Sequence, residues 1–300
     1  MWTFDRFGKS ETDLPDGRVV HIGGEHEDYY DPDFYIYNDI TVIDREGAIA
    51  IYGYPEQDFP PTDFHTATLI GDTIFIVGRL GYRESRSPQQ TPIFKLSLDS
   101  MRVEAIAATG ECPGWLYEHH ARLSDDGYTI IVSGGERWFG DDRGTLENID
   151  SWALDTRDAK WQRLTAHEWQ QWIMRRVDRR PNRLWEVRRA KWDRQHAHLG
   201  LDKYWKYADE PDFASLDQLY RDESYDKPPE QVDNAGKYHV QIDGLKVRIK
   251  EQQFWVSVIV EGKLAPERLA QFQATTLSLL ERIDGAPYEI EGADLKDGRA

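Results

Sequence analysis

Asn38-Asp39-Ile40-Thr41-Val42-Ile43-Asp44, Ile93-Phe94-Lys95-Leu96-Ser97-Leu98-Asp99 and Asn148-Ile149-Asp150-Ser151-Trp152-Ala153-Leu154-Asp155 are three versions of one phrase. Their closing aspartates stand 55 and 56 residues apart. Upstream of each lies a β-rich run ending in glycine: Arg18-Val19-Val20-His21-Ile22-Gly23-Gly24, Thr73-Ile74-Phe75-Ile76-Val77-Gly78 and Tyr128-Thr129-Ile130-Ile131-Val132-Ser133-Gly134-Gly135. A fixed period of this length is the signature of stacked four-stranded units. Residues 1–165 are therefore expected to form a repeat architecture, and such architectures mostly bind.

Working outward, the runs before the glycines alternate in the way strands with two differently packed faces do. A further strand can be matched in Phe64-His65-Thr66-Ala67-Thr68-Leu69 and His119-His120-Ala121-Arg122-Leu123, aligned with His65 over His120. Gly71-Asp72 and Asp125-Asp126-Gly127 supply turn chemistry at equivalent places. Trp161-Gln162-Arg163-Leu164 follows the third aspartate.

These residues resemble the kelch motif: a strand with His-Ser/Thr-Ala, a strand ending in a glycine pair, an Asn-Asp strand closing on Asp, then Trp-x-x-Leu. The second repeat departs from it, with Gly78-Arg79 in place of the glycine pair, and the first lacks a clear histidine strand and the final Trp. The resemblance covers residues 1–165 and implies three four-stranded blades of an incomplete β-propeller. Propellers close with about four to eight blades, so the open faces need a cover. This chain's own helical arm and C-terminal part are the expected cover, and a homodimer through the open blades is the other reading.

The 300 residues carry a net charge of −17. Residues 166–206 hold eleven basic and five acidic residues, a net of +6, which leaves −23 on the remainder. That balance disfavours nucleic acid as a partner of the whole protein, because phosphate binding requires clustered cations. No apolar run is long enough to span a bilayer, and Met1-Trp2-Thr3-Phe4-Asp5-Arg6 lacks the layout of a signal peptide. With one cysteine, Cys112, a cytoplasmic location is expected.

Thr165-Ala166-His167-Glu168 has the form of a helix capping box. Trp169, Trp172, Ile173 and Val177 then recur at helical spacing, and a second helix is expected from Pro181 to Gly200. Residues 166–222 thus read as a basic, Trp-rich helical arm docking on the acidic N-terminal half, with Trp185, Trp192 and Trp205 also in it. Residues 223–236, with Pro228-Pro229, read as a linker. In residues 237–300, alternation around Asp243-Gly244 predicts a hairpin, Phe254 to Val260 a third strand, Pro266 to Ile283 a helix, and Tyr288-Ile290 a last strand. The order β-β-β-α-β is a small α+β unit.

No P-loop, dinucleotide fingerprint, Gly-x-Ser-x-Gly elbow or His-Glu-x-x-His occurs in the sequence. His119 and His120 adjoin on a strand and point to opposite faces, and neither a metal nor a cofactor is expected. The densest polar cluster is the loop Glu25, His26, Glu27, Asp28, Tyr29, Tyr30, Asp31, Asp33, Phe34, Tyr35 and Tyr37, with related loops at 81–91 and 136–147 sharing its rim. Carboxylates that steer and tyrosines that anchor suit recognition of a basic protein. The expected function is a non-catalytic protein-binding module, for example an inhibitor or immunity-type protein facing a toxin or nuclease. Its contact residues are Glu25, Glu27, Asp28, Tyr29, Tyr30, Asp31, Asp33, Tyr35, Trp138, Asp141 and Asp142. The alternatives are a carbohydrate-active or isomerase-type kelch enzyme, with Glu25, His26 and Asp141 as acid and base, and a structural self-assembling subunit.

Overall fold

The computed structural model describes residues 3–28, 31–141, 143–199, 225–232 and 236–292. The chain divides into two compact units, Met1–His167 and Glu168–Ala300. The first is built of β-strands. Its first sheet takes β1 (Ser10–Asp13) and β2 (Val19–Ile22), leaves a separate hairpin of β3 (Glu25–Asp28) and β4 (Asp31–Ile36), and resumes with β5 (Asp39–Ile43) and β6 (Ile49–Gly53), in the antiparallel order β1-β2-β5-β6. The second takes β7 (Thr66–Ile70), β8 (Thr73–Val77), β9 (Ile93–Ser97) and β10 (Arg102–Ala105) in chain order.

In the third, β11 (Thr109–Gly110) adds in parallel to an edge, and β12 (Trp115–Tyr117) joins a small sheet outside it. The main strands are β13 (His120–Leu123), β14 (Thr129–Ser133), β17 (Trp152–Asp155) and β18 (Lys160–Arg163), with the hairpin β15 (Glu136–Trp138) and β16 (Thr145–Glu147) interposed before β17. None of these sheets of described residues closes on itself.

The repeated aspartate ends the third strand of its sheet because it organises the turn that follows. Asp44 Oδ1 accepts from the amides of Glu46 (3.0 Å) and Ala48 (2.7 Å), and Asp155 Oδ1 accepts from Arg157 N (2.9 Å). Each turn then places one residue in the left-handed region, Gly47 at φ 82°, Met101 at 52° and Ala159 at 49°. The repeated asparagine ties its strand to the segments on either side: Asn38 donates to the carbonyls of Tyr54 and Phe59, and Asn148 to those of Gly134 and Asp150.

Side-chain alternation sets the stacking. In β2 only Val20 and Ile22 are fully buried, and in β14 only Ile130 and Val132, whereas β8 buries Ile74, Phe75, Ile76 and Val77 without a break. Ile74 and Ile76 pack with Val20, Ile22, Ile40 and Val42 of the first sheet, while Phe75 and Val77 pack with Ile130, Val132, Trp152 and Leu154 of the third. The second sheet is thus the middle layer, with β8 buried on both faces, whereas β2 and β14 of the outer sheets bury alternate residues and β5 and β17 are buried along most of their length. Fully burying an aliphatic side chain contributes about 1.5–3 kcal/mol, and the side chains of β8 contribute to the cores on both of its faces.

Polar stitches repeat with the sheets. Ser10 Oγ, at the start of β1, lies 2.7 Å from Nε2 of His65, and Thr66 Oγ1, at the start of β7, lies 2.8 Å from Nε2 of His119. The histidine equivalent to His65 is therefore the buried His119. The alignment of His65 with His120 is corrected by one residue, and His120 stands exposed at the start of β13. Phe64 and Glu118, just before the two histidines, both take positive φ, and the Glu118 amide donates to the Phe64 carbonyl as Phe64 does to Gly8.

The second unit is a six-stranded antiparallel sheet in the order β20-β21-β22-β23-β19-β24, from β19 (Gln170–Arg176), β20 (Lys227–Gln231), β21 (Lys237–Ile242), β22 (Leu245–Glu251), β23 (Val256–Val260) and β24 (Tyr288–Gly292). Two helices, α1 (Arg183–Gln195) and α2 (Pro266–Asp284), contribute Leu184, Val187, Phe272 and Leu280 to its core. The predicted hairpin, third strand, helix and last strand are present, but the sheet has two strands more than β-β-β-α-β.

Both additions correct the sequence reading. Residues 170–176 are a strand and not a helix: Trp172 and Met174 enter the core while the run pairs with β23 on one side and β24 on the other. Its apolar residues satisfy both periods over so short a run, and two flanking strands decide between them. The Thr165 hydroxyl caps no helix; it accepts from Ser151 N (2.8 Å) and meets Asp150 Oδ1 (3.2 Å).

The expected linker contains β20, whose Pro228 and Pro229 sit in an edge strand with a register shift, where a missing amide is tolerated. The arm's cations are also answered within their own unit, Arg175 by Glu289 and Glu291, Arg179 by Glu289 (2.6 Å) and Arg188 by the buried Glu251. Trp172 packs edge-on against Phe272, ring centroids 5.8 Å apart. Trp205 and the rest of residues 200–224 lie outside the described residues, and no helix among the described residues is long and apolar enough to cross a membrane.

Candidate recognition surface

In all three sheets the chain leaves the second strand through glycine in the left-handed region, Gly23 at φ 56°, Gly78 at 70° and Gly134 at 64°. A side chain is also excluded there by close approach. A Cβ on Gly23 would fall 2.0 Å from the Thr62 carbonyl oxygen, and one on Gly78 would fall 2.4 Å from that of Leu116. These carbonyls belong to the segments leading into the next sheet, and they accept from Gly24 N (2.8 Å) and Arg79 N (3.0 Å). Gly23 and Gly78 thus deliver the first two second-to-third-strand connections beside the incoming backbone of the following sheet.

The connections meet. The Ile36 amide of the first donates to the Tyr82 hydroxyl of the second (2.9 Å), and Phe34 packs edge-on against the Tyr82 ring at 6.0 Å. Arg83 Nε of the second donates to Asp141 Oδ1 of the third (2.5 Å), and the Arg86 guanidinium lies 5.9 Å from the Trp138 ring centre. The first and third connections are not loops but hairpins, which corrects the reading of Glu25–Tyr37 and Glu136–Glu147. In the first, Glu25 pairs with Ile36 and His26 with Tyr35; in the third, Glu136 pairs with Glu147.

Of the expected contact residues, Tyr35 is 46% exposed beside Phe34 at 45%. Trp138 is half-buried beneath Arg86, and Asp141 is exposed but ion-paired with Arg83. Glu27 and Asp28 are placed on β3, and Asp31 and Asp33 on β4, by the backbone alone. Tyr29, Tyr30 and Asp142 lie outside the described residues.

Charge is divided along this surface. The stretch 25–36 has five carboxylates and no arginine, 79–92 has three arginines and one carboxylate, and 136–147 has four carboxylates and two arginines. The first hairpin therefore carries the negative field, and the second connection is a cationic neighbour.

Residues that sequence reading missed hold the second connection. Arg79 is buried, donating from Nη1 to the Pro61 carbonyl (2.6 Å) and from Nη2 to Ser85 Oγ (3.2 Å), with Trp115 5.0 Å away. Burial pulls its pKa down to about 10. Asp63, fully buried, accepts from Gly81 N at 2.6 Å, and burial pushes its carboxyl up. Arg86 donates to the carbonyls of Leu80 and Gly81. The signal was the departure from the glycine pair at Gly78-Arg79: a cation placed where the repeat has glycine.

Asp141 is tied to the Arg83 guanidinium, while Glu25 and His26 lie on β3, paired with Ile36 and Tyr35. Among the described residues no group of three or more His, Cys, Asp or Glu side chains is placed to hold a metal ion.

No family model and no curated protein matches the chain. Solved structures do match: one of YjhT covers 54% of this chain at 12% identity with a TM-score of 0.40. The chain spans about half of that structure's length, 53%.

Proposed function

We propose that the unit Met1–His167 is a non-catalytic, kelch-like recognition module, a partial propeller whose connections bind a basic protein. The observation that carries this reading is the junction of the three connections through Tyr82 and Arg83, which turns separate hairpins into one surface. On that surface the hairpin β3–β4 supplies negative charge, and Phe34 and Tyr35 supply aromatic area that remains exposed. A partner with a basic groove is steered by the field and then held by the rings. An inhibitor or immunity-type protein acting on a toxin or nuclease in the cytoplasm has this chemistry.

The arginine-rich second connection sharpens the requirement. A uniformly basic partner meets repulsion at Arg83, so the fitting surface is a basic groove bounded by an acidic or polar lip. Affinity capture with the full chain supplies the partner, and the association rate is then measured at low and high salt. Substituting lysine at Glu25, Glu27, Asp28, Asp31 and Asp33 together is expected to slow association by about tenfold or more at low salt, within the range of electrostatic steering. The wild-type rate should fall with salt while the variant's barely moves. An unchanged rate in the variant removes the hairpin from the interface.

A further inference from the structure

The stack of three sheets has two outer faces, and the first strands that edge them differ in charge. Inside the stack, each sheet lays a short polar pair from its first strand toward the next sheet, Ser10 and Thr12, then Thr66 and Thr68. It receives them on small or apolar residues of the next first strand, Ala67 and Leu69, then Ala121 with Leu123 at the same strand parity. At the two ends the same strand positions hold different residues. The position of the apolar pair is taken on β1 by Glu11 and Asp13, both exposed, and the position of the polar pair on β13 by His120 and Arg122, both exposed.

The register carries each face further. Across the first sheet, Glu11 leads through His21 and Thr41 to Ile51, and Asp13 leads through Val19 and Ile43 to Ile49. Ile49 and Ile51 are 50% and 51% exposed. Across the third sheet, Arg122 leads through Ile131 and Ala153 to Gln162. One face thus has carboxylates on the first strand and aliphatic side chains further out; the other has the Arg122 guanidinium and the His120 ring on the first strand, with Ile131 beside them. Lys9, in the place held by His65 and His119 in the later sheets, offers a donor where His120 offers a ring nitrogen.

We infer that a second copy of this chain occupies both faces, the β13 face of each copy stacking on the β1 face of the other to give a closed pair of six sheets. Glu11 and Asp13 then lie opposite His120 and Arg122 at the positions where Ala67 and Leu69 lie opposite Ser10 and Thr12. The two interfaces are identical, as two-fold symmetry requires. The inference is independent of which molecule the connections bind, and the pair would carry two sets of connections.

The test is the mass of the full chain in solution over a concentration series, by sedimentation or light scattering. The wild type is expected at twice the chain mass. Arg122→Glu alone, or Glu11→Lys with Asp13→Lys, should each weaken the pair by about tenfold or more, since like charges face each other at both interfaces. Combining all three substitutions in one chain should restore it, as should mixing the two weakened variants, because each arrangement again sets opposite charges face to face. These residues are exposed, so folding is not at stake. A wild type monomeric at every concentration, a pair indifferent to Arg122→Glu, an oligomer larger than two, or a triple variant that stays apart would each overturn the inference.

Discussion

Replacing Arg79 with methionine is expected to lower the stability of the unit Met1–His167 by about 1–3 kcal/mol, the cost of leaving a buried polar group without its partner. Two things are lost together. The Pro61 carbonyl loses its 2.6 Å donor, and the buried Asp63 loses the nearest cation that offsets its charge. Asp63 is already strained in this respect: Oδ1 takes the Gly81 amide, while Oδ2 has no hydrogen-bond partner.

Methionine preserves much of the apolar volume against Trp115, so the effect reports the guanidinium and not a cavity. Adding Asp63→Asn to the variant should recover part of the loss, because a neutral amide no longer needs a counter-charge. Urea unfolding of the four proteins in the cycle measures both effects. A loss below about 1 kcal/mol for the single variant would mean that water, not Arg79, satisfies this site, since net values of that size belong to ordinary hydrogen bonds. The same variant should loosen residues 79–92, and with them the Tyr82 and Arg83 links that join the three connections.

What could be read in the sequence were features with a local cause. The closing aspartates signal their turns because the carboxylate and the amides it accepts from are two to four residues apart. The unbroken run Ile74 to Val77 marks a strand buried on both faces, and the alternation in β2 and β14 marks strands buried on one. What could not be read depended on distant partners. Trp172 and Ile173 fit a helical stripe as well as a strand until β23 and β24 are placed on either side.

Pro228-Pro229 looks like a linker unless the strand is known to be an edge. The hairpin at 25–36 reads as a loop in the sequence because its polar positions are mostly charged, and strand patterns are recognised by apolar alternation. Asp63 and Arg79 lie 16 positions apart and in different contexts of the repeat; only the packing of one sheet's approach against the next brings their charges within influence of each other. The sequence grouped the three connections by their place in the repeat, and their contacts, such as the tie between Arg83 and Asp141, needed coordinates.

Between pH 7 and pH 5 the N-terminal unit is expected to lose about 4 kcal/mol of stability through His65 and His119 alone. Both rings are buried, each has Nε2 against a hydroxyl and Nδ1 with no hydrogen-bond partner, and burial lowers each pKa to about 3. A protonated ring would place a charge between sheets with nothing to receive its second N–H. Folded, the two histidines therefore stay neutral; unfolded, they take up protons below about pH 6.5.

Because the unfolded chain binds protons first, stability is full above that pH and falls as pH drops toward 3, by about 1.4 kcal/mol per pH unit for each histidine. The carboxylates held low by hydrogen bonds, Asp150 and Asp155 among them, add their losses only at lower pH, and Asp63, pushed up by burial, acts in the opposite direction. Urea midpoints at pH 7 and pH 5 for the wild type and for His65→Gln with His119→Gln isolate the effect, since glutamine can still meet Ser10 and Thr66 but does not titrate. The wild type should show the steeper decline. Parallel declines would mean that the stitches between the sheets open to water, and the stack would then be held by its apolar faces alone.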